Sequence, residues 1–290
     1  MAKLLIHGGA ANLADAAVTD PKRAATERTC KSSRLPGMTA IDLVEAAVAA
    51  QEREEDLNAG IGSVVQMDGR IRMDAGICTS DGKYGAVIQI EQVATPVRVA
   101  RRILDIGYHS ILSGDGARLF ALEQGFPAAS VYTPQTLDVF MQSRAQFKEL
   151  TYAALSGNVD AINVKKLSTV GAVAIDDKGR LAAACSTGGT RFCYPGRVGD
   201  TPIFGAGLYC SPHVAVSCTG EGDKMLRRLT ARRVDEYFQK HGALKRAVDE
   251  AVADLLQKEN GYCGIIAVAH TGETAFGHST SFMAHAEISA

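Results

Sequence analysis

The chain has 290 residues, enough to bury a sizeable core in one large α/β domain or two small ones, and a single domain is favoured. Its 31 Lys and Arg nearly cancel its 32 Asp and Glu, so nothing creates the broad positive field of a nucleic-acid binder, and a small-molecule substrate is expected instead. With 29 Gly, few aromatics and no Trp, the composition points to tight turns and close backbone approaches, which suits a backbone-lined pocket.

The first apolar run, Leu4-Leu5-Ile6, is too short for the core of a signal peptide and reads as a buried strand running into a turn at Gly8-Gly9. No stretch approaches the length of a membrane span, so a cytoplasmic protein without membrane partners is expected. Thr39 followed by Asp42 forms a capping signature, and Ile41, Val44, Ala47 and Val48 give an apolar helical stripe to about Gln51. Strands are then expected at Ser63–Met67 and Arg70–Met73 around an Asp68-Gly69 hairpin turn, and again at Tyr84–Ile90. Pro96 starts a helix through Ile103, and a helix near Gly116–Gln124 is expected to carry Leu119, Phe120 and Leu122 inward. The segment from Thr133 to Lys166 reads as helix and then as an exposed linker.

Beyond it, strands are expected at Val170–Ile175, Leu181–Cys185, Val214–Cys218, Gly264–Val268 and Thr274–Gly277, with amphipathic helices around Lys224–Gln239 and Leu244–Gln257. Strands in hairpins, with helices in separate blocks, suggest two packed sheets between helix layers and not a βαβ fold. The seven Cys are odd in number and lack metal-ligand spacing, so they are expected to be reduced and buried. Arg227, Arg228, Arg232 and Arg233 suit a solvated or subunit-facing helix surface, and His278 with His285 makes a poor metal pair.

The candidate chemistry gathers in the second half. If residues 175 and 180 pair across the Asp176–Gly179 turn, ladder numbers sum to about 355 and Thr169 lies opposite Ser186 or Thr187. Arg197 and Asp200 sit in a glycine turn that can aim a fixed cation and a fixed anion at neighbouring points, as the two charged groups of an amino acid require. Thr219-Gly220 places a hydroxyl and glycine amides at a strand end before a helix, where an oxyanion could be held. Taken singly, each feature has a plain structural explanation: strand packing for Thr169, a surface ion pair for Arg197 and Asp200, a helix cap for Thr219.

Together, Thr169-Val-Gly-Ala-Val-Ala174, Ser186-Thr-Gly-Gly189, Gly196-Arg-Val-Gly-Asp200, Gly205-Ala-Gly207 and Ser217-Cys-Thr-Gly220 resemble the plant-type asparaginase and isoaspartyl aminopeptidase family. Ile6-His-Gly-Gly9, Asn58-Ala-Gly-Ile-Gly62, Met73-Asp-Ala75 and Ser113-Gly-Asp-Gly-Ala117 extend the likeness over nearly the whole chain apart from the linker. The resemblance implies the αββα four-layer sandwich of N-terminal-nucleophile hydrolases, in a precursor that cuts itself between Ser168 and Thr169 into an α subunit (1–168) and a β subunit (169–290). It implies Thr169 as nucleophile and its freed amine as general base, acting on L-asparagine, β-aspartyl dipeptides or both. Thr187 would orient the nucleophile, Arg197 would clamp the substrate carboxylate and Asp200 its ammonium beside Gly222. The Thr219 hydroxyl and Gly220 amide would form the oxyanion hole. No catalytic cofactor is implied. The 51–61 loop resembles the family's structural sodium loop, with main-chain carbonyls of Gln51, Glu52, Glu54, Leu57, Ala59 and Ile61 as ligands, and a homodimer of processed protomers is expected.

The chain departs from the family pattern at Ser168, where Gly or Asp is usual, at Phe192-Cys193, where Asn-Lys is common, and at Ala10-Ala11, where another Gly is usual. The first two departures keep a second reading open, a non-cleaving relative that binds an amino-acid ligand without turnover. A glycosylasparaginase or a threonine-aspartase-like protease is the remaining enzyme alternative. The N-terminus gives no secretory signal for the first and the short linker no support for the second.

Overall fold

Two strands with almost no large side chains form the middle of the molecule. In the computed structural model, which describes residues 2–12, 15–33, 37–155 and 169–289, β5 (Val170–Ile175) and β6 (Leu181–Thr187) are buried along their whole length and pair antiparallel. Such continuous burial is what an unbroken run of small apolar residues predicts for a strand covered on both faces. Around them the larger sheet runs in the order β11 (Phe282–Ser289), β1 (Lys3–Ala11), β5, β6, β2 (Met73–Thr79), β3 (Tyr84–Ile90) and β4 (Ile111–Ser113). All its pairs are antiparallel except β3 with β4. The smaller sheet runs β10 (Thr274–His278), β9 (Cys263–Ala269), β8 (Val214–Gly220) and β7 (Leu208–Cys210).

Helices α1 (Ala16–Ser32), α2 (Ala40–Gln51) and α3 (Pro96–Ile106) cover the outer face of the larger sheet, with α4 (Gly114–Glu123) near its β3–β4 edge. On the smaller sheet lie α7 (Thr230–His241) and α8 (Leu244–Glu259), with α6 (Gly222–Arg228) packed against them. The two inner faces meet through Leu5, Val173, Cys185, Leu208, Ile266 and their neighbours. The architecture is the αββα four-layer sandwich. A long helix, α5 (Pro134–Leu155), follows α4 in the chain. No helix among the described residues is long and apolar enough to cross a membrane, and none of their His, Cys, Asp or Glu cluster as a metal site would require.

The ladder register is Ile175 with Leu181 and Val170 with Ser186, a sum of 356 in place of 355. One step further on the same register puts Thr169 opposite Thr187, one of the two partners expected. All seven Cys are free, and six of them are buried. The arginines of α6 and α7 are engaged locally, Arg227 with Glu259, Arg228 with Asp254, and Arg232 and Arg233 with Glu236.

Several expected elements are corrected. β1 does not turn at Gly8-Gly9 but runs on to Ala11 with a bulge against β11. Gly8 is needed because a Cβ there would overlap the Thr26 hydroxyl of α1. Helix α1 carries no apolar stripe to reveal it; its buried face is largely Thr19, Lys22, Thr26 and Thr29, and Asp15 caps its start through the Ala17 amide. The Asp68-Gly69 turn forms, but no strands flank it. The backbone of Val65 and Met67 bonds instead to Phe192 and Cys193 across the chain. In α4, Leu119 and Leu122 are exposed, and Ala117 with Ala121 faces the core. The single helix expected over 224–239 is two, split at the left-handed Leu229, because the amides of Ala231 and Arg232 are taken by the carbonyls of Ala206 and Gly205. The linker expected up to Lys166, and Ser168, lie outside the described residues.

The sheets approach closely at Gly171, where a Cβ would overlap Ser217 Oγ of β8 and lie 2.6 Å from His7 Nε2. His7 and Ser217 are themselves hydrogen-bonded at 2.8 Å, tying the two sheets together. Gly171→Ala is therefore expected to lower the unfolding free energy by about 1–3 kcal/mol, the usual range for overpacking a tight core. Urea denaturation checks this, and an unchanged midpoint would show that the sheets part there freely.

Candidate active site

The candidate residues sit at strand ends and in the loop between β6 and β7. Thr169 precedes β5, is 7% exposed, and its Oγ1 lies 3.1 Å from Thr201 Oγ1. Thr201 is a partner that sequence reasoning missed; it directly follows Asp200 and carries no local signal of its own. Thr187 closes β6, and its Oγ1 accepts the Gly189 amide at 3.1 Å, so its recorded bond holds the glycine turn and not Thr169. On the facing sheet, Ser217 packs at Gly171, two residues after Thr169, and Thr219 stands two residues beyond Ser217. The Thr219 hydroxyl is fully buried and has no hydrogen-bond partner among the described residues, an arrangement that normally carries a free-energy penalty. Gly220 has φ +138° beside the Tyr262 carbonyl, which excludes any side chain.

The glycine turn brings Arg197 and Asp200 together at Gly222. A Cβ on Gly222 would overlap Asp200 Oδ1 and lie 3.0 Å from Arg197 Nη2; one on Gly199 would lie 2.7 Å from Arg197 Nη1. Both glycines are thus space left for the two charged groups. The cation's ion-pair partner is not Asp200, however, but the exposed Asp223, through Nη2–Oδ2 at 2.7 Å and Nε–Oδ1 at 3.3 Å. Asp200 is 3% exposed, and its Oδ2 has no partner among the described residues. Burial pushes its carboxyl up to about 7, against the opposing pull of Arg197.

Behind this pair lies a support that the sequence did not reveal. Asp74 in β2 is 2% exposed and accepts the Gln89 amide at 2.7 Å, and burial pushes its carboxyl up to about 6. Gln89 adopts a left-handed φ of +55° at the β2–β3 bulge, and its Nε2 donates to the Arg197 carbonyl at 3.0 Å. The Met73-Asp-Ala75 motif marked the place without showing what Asp74 holds. His7, opposite Gly171 in the ladder, is fully buried, and burial pushes its imidazole down to about 3, so it is neutral at physiological pH.

In the 51–61 loop, the carbonyls of Glu54, Glu55 and Leu57 converge on the point that a Gly62 Cβ would fill. Glu54 and Leu57 belong to the expected ligand set, and Glu55 does not. The carbonyls of Gln51, Glu52 and Ala59 accept the amides of Glu54, Ile61 and Gly62 within the loop. The buried Glu52 side chain bonds to the Val97 amide at the start of α3, and burial pushes it up to about 8.

A four-layer sandwich of this kind is the fold of the N-terminal-nucleophile hydrolases. Comparison with known proteins narrows the class: the asparaginase family model matches residues 1–290, and the chain belongs to that family. It is 36% identical to the plant-type L-asparaginase of Pyrobaculum calidifontis over 98% of this chain and 96% of that protein. The isoaspartyl peptidase of Salmonella typhimurium is 36% identical over 94% of this chain and 91% of its own. That of Escherichia coli is 35% identical over 97% and 91% respectively.

Asp200 also bears on stability. Its carboxyl rises from an ordinary 3.8 to about 7 on folding, so between those values the folded chain keeps a proton that the unfolded chain has released. Its contribution to stability therefore falls as pH rises through that window. Asp200→Asn removes this loss, and its urea midpoint relative to the parent is expected to be higher at pH 8 than at pH 5; a pH-independent difference would contradict the shift.

Proposed function

We propose that the protein is a self-cleaving amidohydrolase that acts on L-asparagine, β-aspartyl dipeptides or both, with Thr169 as nucleophile. The observation that carries this reading is the buried Asp200 carboxylate, with an unpartnered oxygen, beside the Arg197 guanidinium. A fixed anion and a fixed cation at one point match the ammonium and carboxylate of an α-amino acid. The relatives named above as asparaginase and isoaspartyl peptidases support the same substrate class.

In the maturation step, the Thr169 hydroxyl attacks the Ser168 carbonyl, the resulting ester hydrolyses, and the α-amine of Thr169 is released to act as the general base. In turnover, Arg197 holds the substrate carboxylate and Asp200 its ammonium, so that the side-chain amide carbonyl faces Thr169. The amine takes the hydroxyl proton as the oxygen attacks. The oxyanion is received by the Gly220 amide and by the Thr219 hydroxyl, which has no partner among the described residues to give up. The leaving nitrogen takes up the proton, and water activated by the same amine releases aspartate. Thr201 holds the nucleophilic oxygen in place, and Thr187 stiffens the adjoining turn. Processed protomers pair as a homodimer. A structural sodium ion would be held in the 51–61 loop by main-chain carbonyls, the oxygen donors that a hard cation takes.

Denaturing gels and intact mass test maturation. The wild type is expected to give two fragments, the second beginning at Thr169, and Thr169→Ala one uncut, inactive chain. A wild type that stays whole and binds aspartate without releasing ammonia would overturn the proposal in favour of ligand binding alone. Because Asp200 binds an ammonium only when ionised, log kcat/KM is expected to rise with pH up to about 7 and then level. A profile flat from pH 5 to 8 would remove Asp200 from that role.

A further inference from the structure

A cavity of about 310 Å³ opens between α1, the 55–65 loop, α5 and the segment 191–192, and none of the candidate catalytic or substrate-binding residues lines it. It adjoins the candidate active site. Asn58 and Ser63, on its wall, press on Gly188, where a Cβ would lie 2.5 Å from Ser63 Cβ; Gly188 directly follows Thr187. Asn58 Nδ2 also donates to the Gly189 carbonyl at 2.8 Å.

The lining has two chemistries. Two cations reach in. Lys22 is only 6% exposed and spends one donor on the Asp56 carbonyl at 2.9 Å. The half-buried Arg191 guanidinium has no hydrogen-bond or ion-pair partner among the described residues, and burial holds it below its ordinary value. Ser63 adds a fully buried hydroxyl that likewise lacks a partner. The acids of the lining, Glu55 and Asp56, are exposed at the rim. The apolar part of the lining includes Val64, Val139 and the stacked rings of Phe140 and Phe192, 6.0 Å apart. A half-buried guanidinium and a buried hydroxyl without partners among the described residues, beside an apolar wall, suit a small molecule with one anionic group and one apolar group.

We propose that this cavity is the leaving-group subsite, in which Arg191 and Lys22 hold the α-carboxylate of the amino acid released from a β-aspartyl dipeptide while its apolar side chain packs on Phe192. The inference rests on the amidohydrolase reading and sharpens it. The bond broken is the β-amide C–N, the bond formed is that carbon to Thr169 Oγ1, and the departing nitrogen carries the proton into the cavity with the amino acid. Asparagine, whose leaving group is ammonia, has nothing to place there.

The test compares kcat/KM for β-aspartyl-leucine, β-aspartyl-leucinamide and L-asparagine in the wild type, Arg191→Gln and Arg191→Lys. A charge-assisted hydrogen bond of ordinary strength predicts a loss of at least about tenfold for β-aspartyl-leucine relative to asparagine in Arg191→Gln. Part of it should return in Arg191→Lys, and the wild type should disfavour the leucinamide to a similar degree. An unchanged dipeptide-to-asparagine ratio, or equal rates for the acid and the amide, would overturn the subsite. Should none of the three substrates turn over, the hydrolase reading fails, and calorimetric titration then judges the cavity separately. Binding of L-leucine but not L-leucinamide, lost in Arg191→Gln, supports a carboxylate site; equal or absent binding of both removes it.

Discussion

The approach of the two sheets at Gly171 sets the geometry on which the rest depends. Strand β5 can lie against β8 there because no side chain intervenes, and the His7–Ser217 hydrogen bond closes the contact from both sheets. Thr169 lies two residues before Gly171 and Thr219 two residues after Ser217, so the candidate nucleophile and the candidate oxyanion donor both extend from this contact. Side chains on β5 and β6 are small except at Ile175 and Leu181, and a core of this density transmits an added methylene as strain. The ground on which the candidate site stands is therefore set by residues that carry no chemistry.

Charge is arranged with the opposite logic. Asp74 and Asp200 are both buried carboxyls pushed above their ordinary range, and one guanidinium, Arg197, draws on both of them and on Asp223. The protein accepts this unfavourable burial where a bound amino acid would relieve it, the common trade between stability and function. The backbone beneath Arg197 is held from behind by the Gln89 amide, in a left-handed conformation that Asp74 stabilises, so the guanidinium sits on a braced loop.

Much of this was legible in the sequence, for reasons that can be traced residue by residue. The β5–β6 ladder followed from one turn and the period of a strand, to within one step of register. The glycines at 199 and 222 marked where backbone and charge come close, and Gly220 where two backbones do. Helix α1 was invisible because its buried face is polar, secured by side-chain-to-backbone bonds such as that of Thr26 to the Lys22 carbonyl. The Asp68-Gly69 turn misled because its flanks find partners 125 or so positions downstream, at Phe192 and Cys193, and local pattern cannot report a distant competitor. Thr201, Asp74 and Gln89 escaped notice for the same reason: each acts through a contact between segments far apart in the chain, or through its neighbour's backbone.

The strand order of the larger sheet has one more consequence. Taken across the sheet, β11 comes from the C-terminal part, β1 from the N-terminal part, β5 and β6 again from the C-terminal part, and β2, β3 and β4 from the N-terminal part. A backbone cut before Thr169 would leave the pieces interleaved like the fingers of two clasped hands, with β1 gripped on both sides by strands of the other piece. Separation would require melting the sheet itself. The severed halves of one translation product would stay together for life, and two differently mutated copies of the chain could not trade halves without unfolding first.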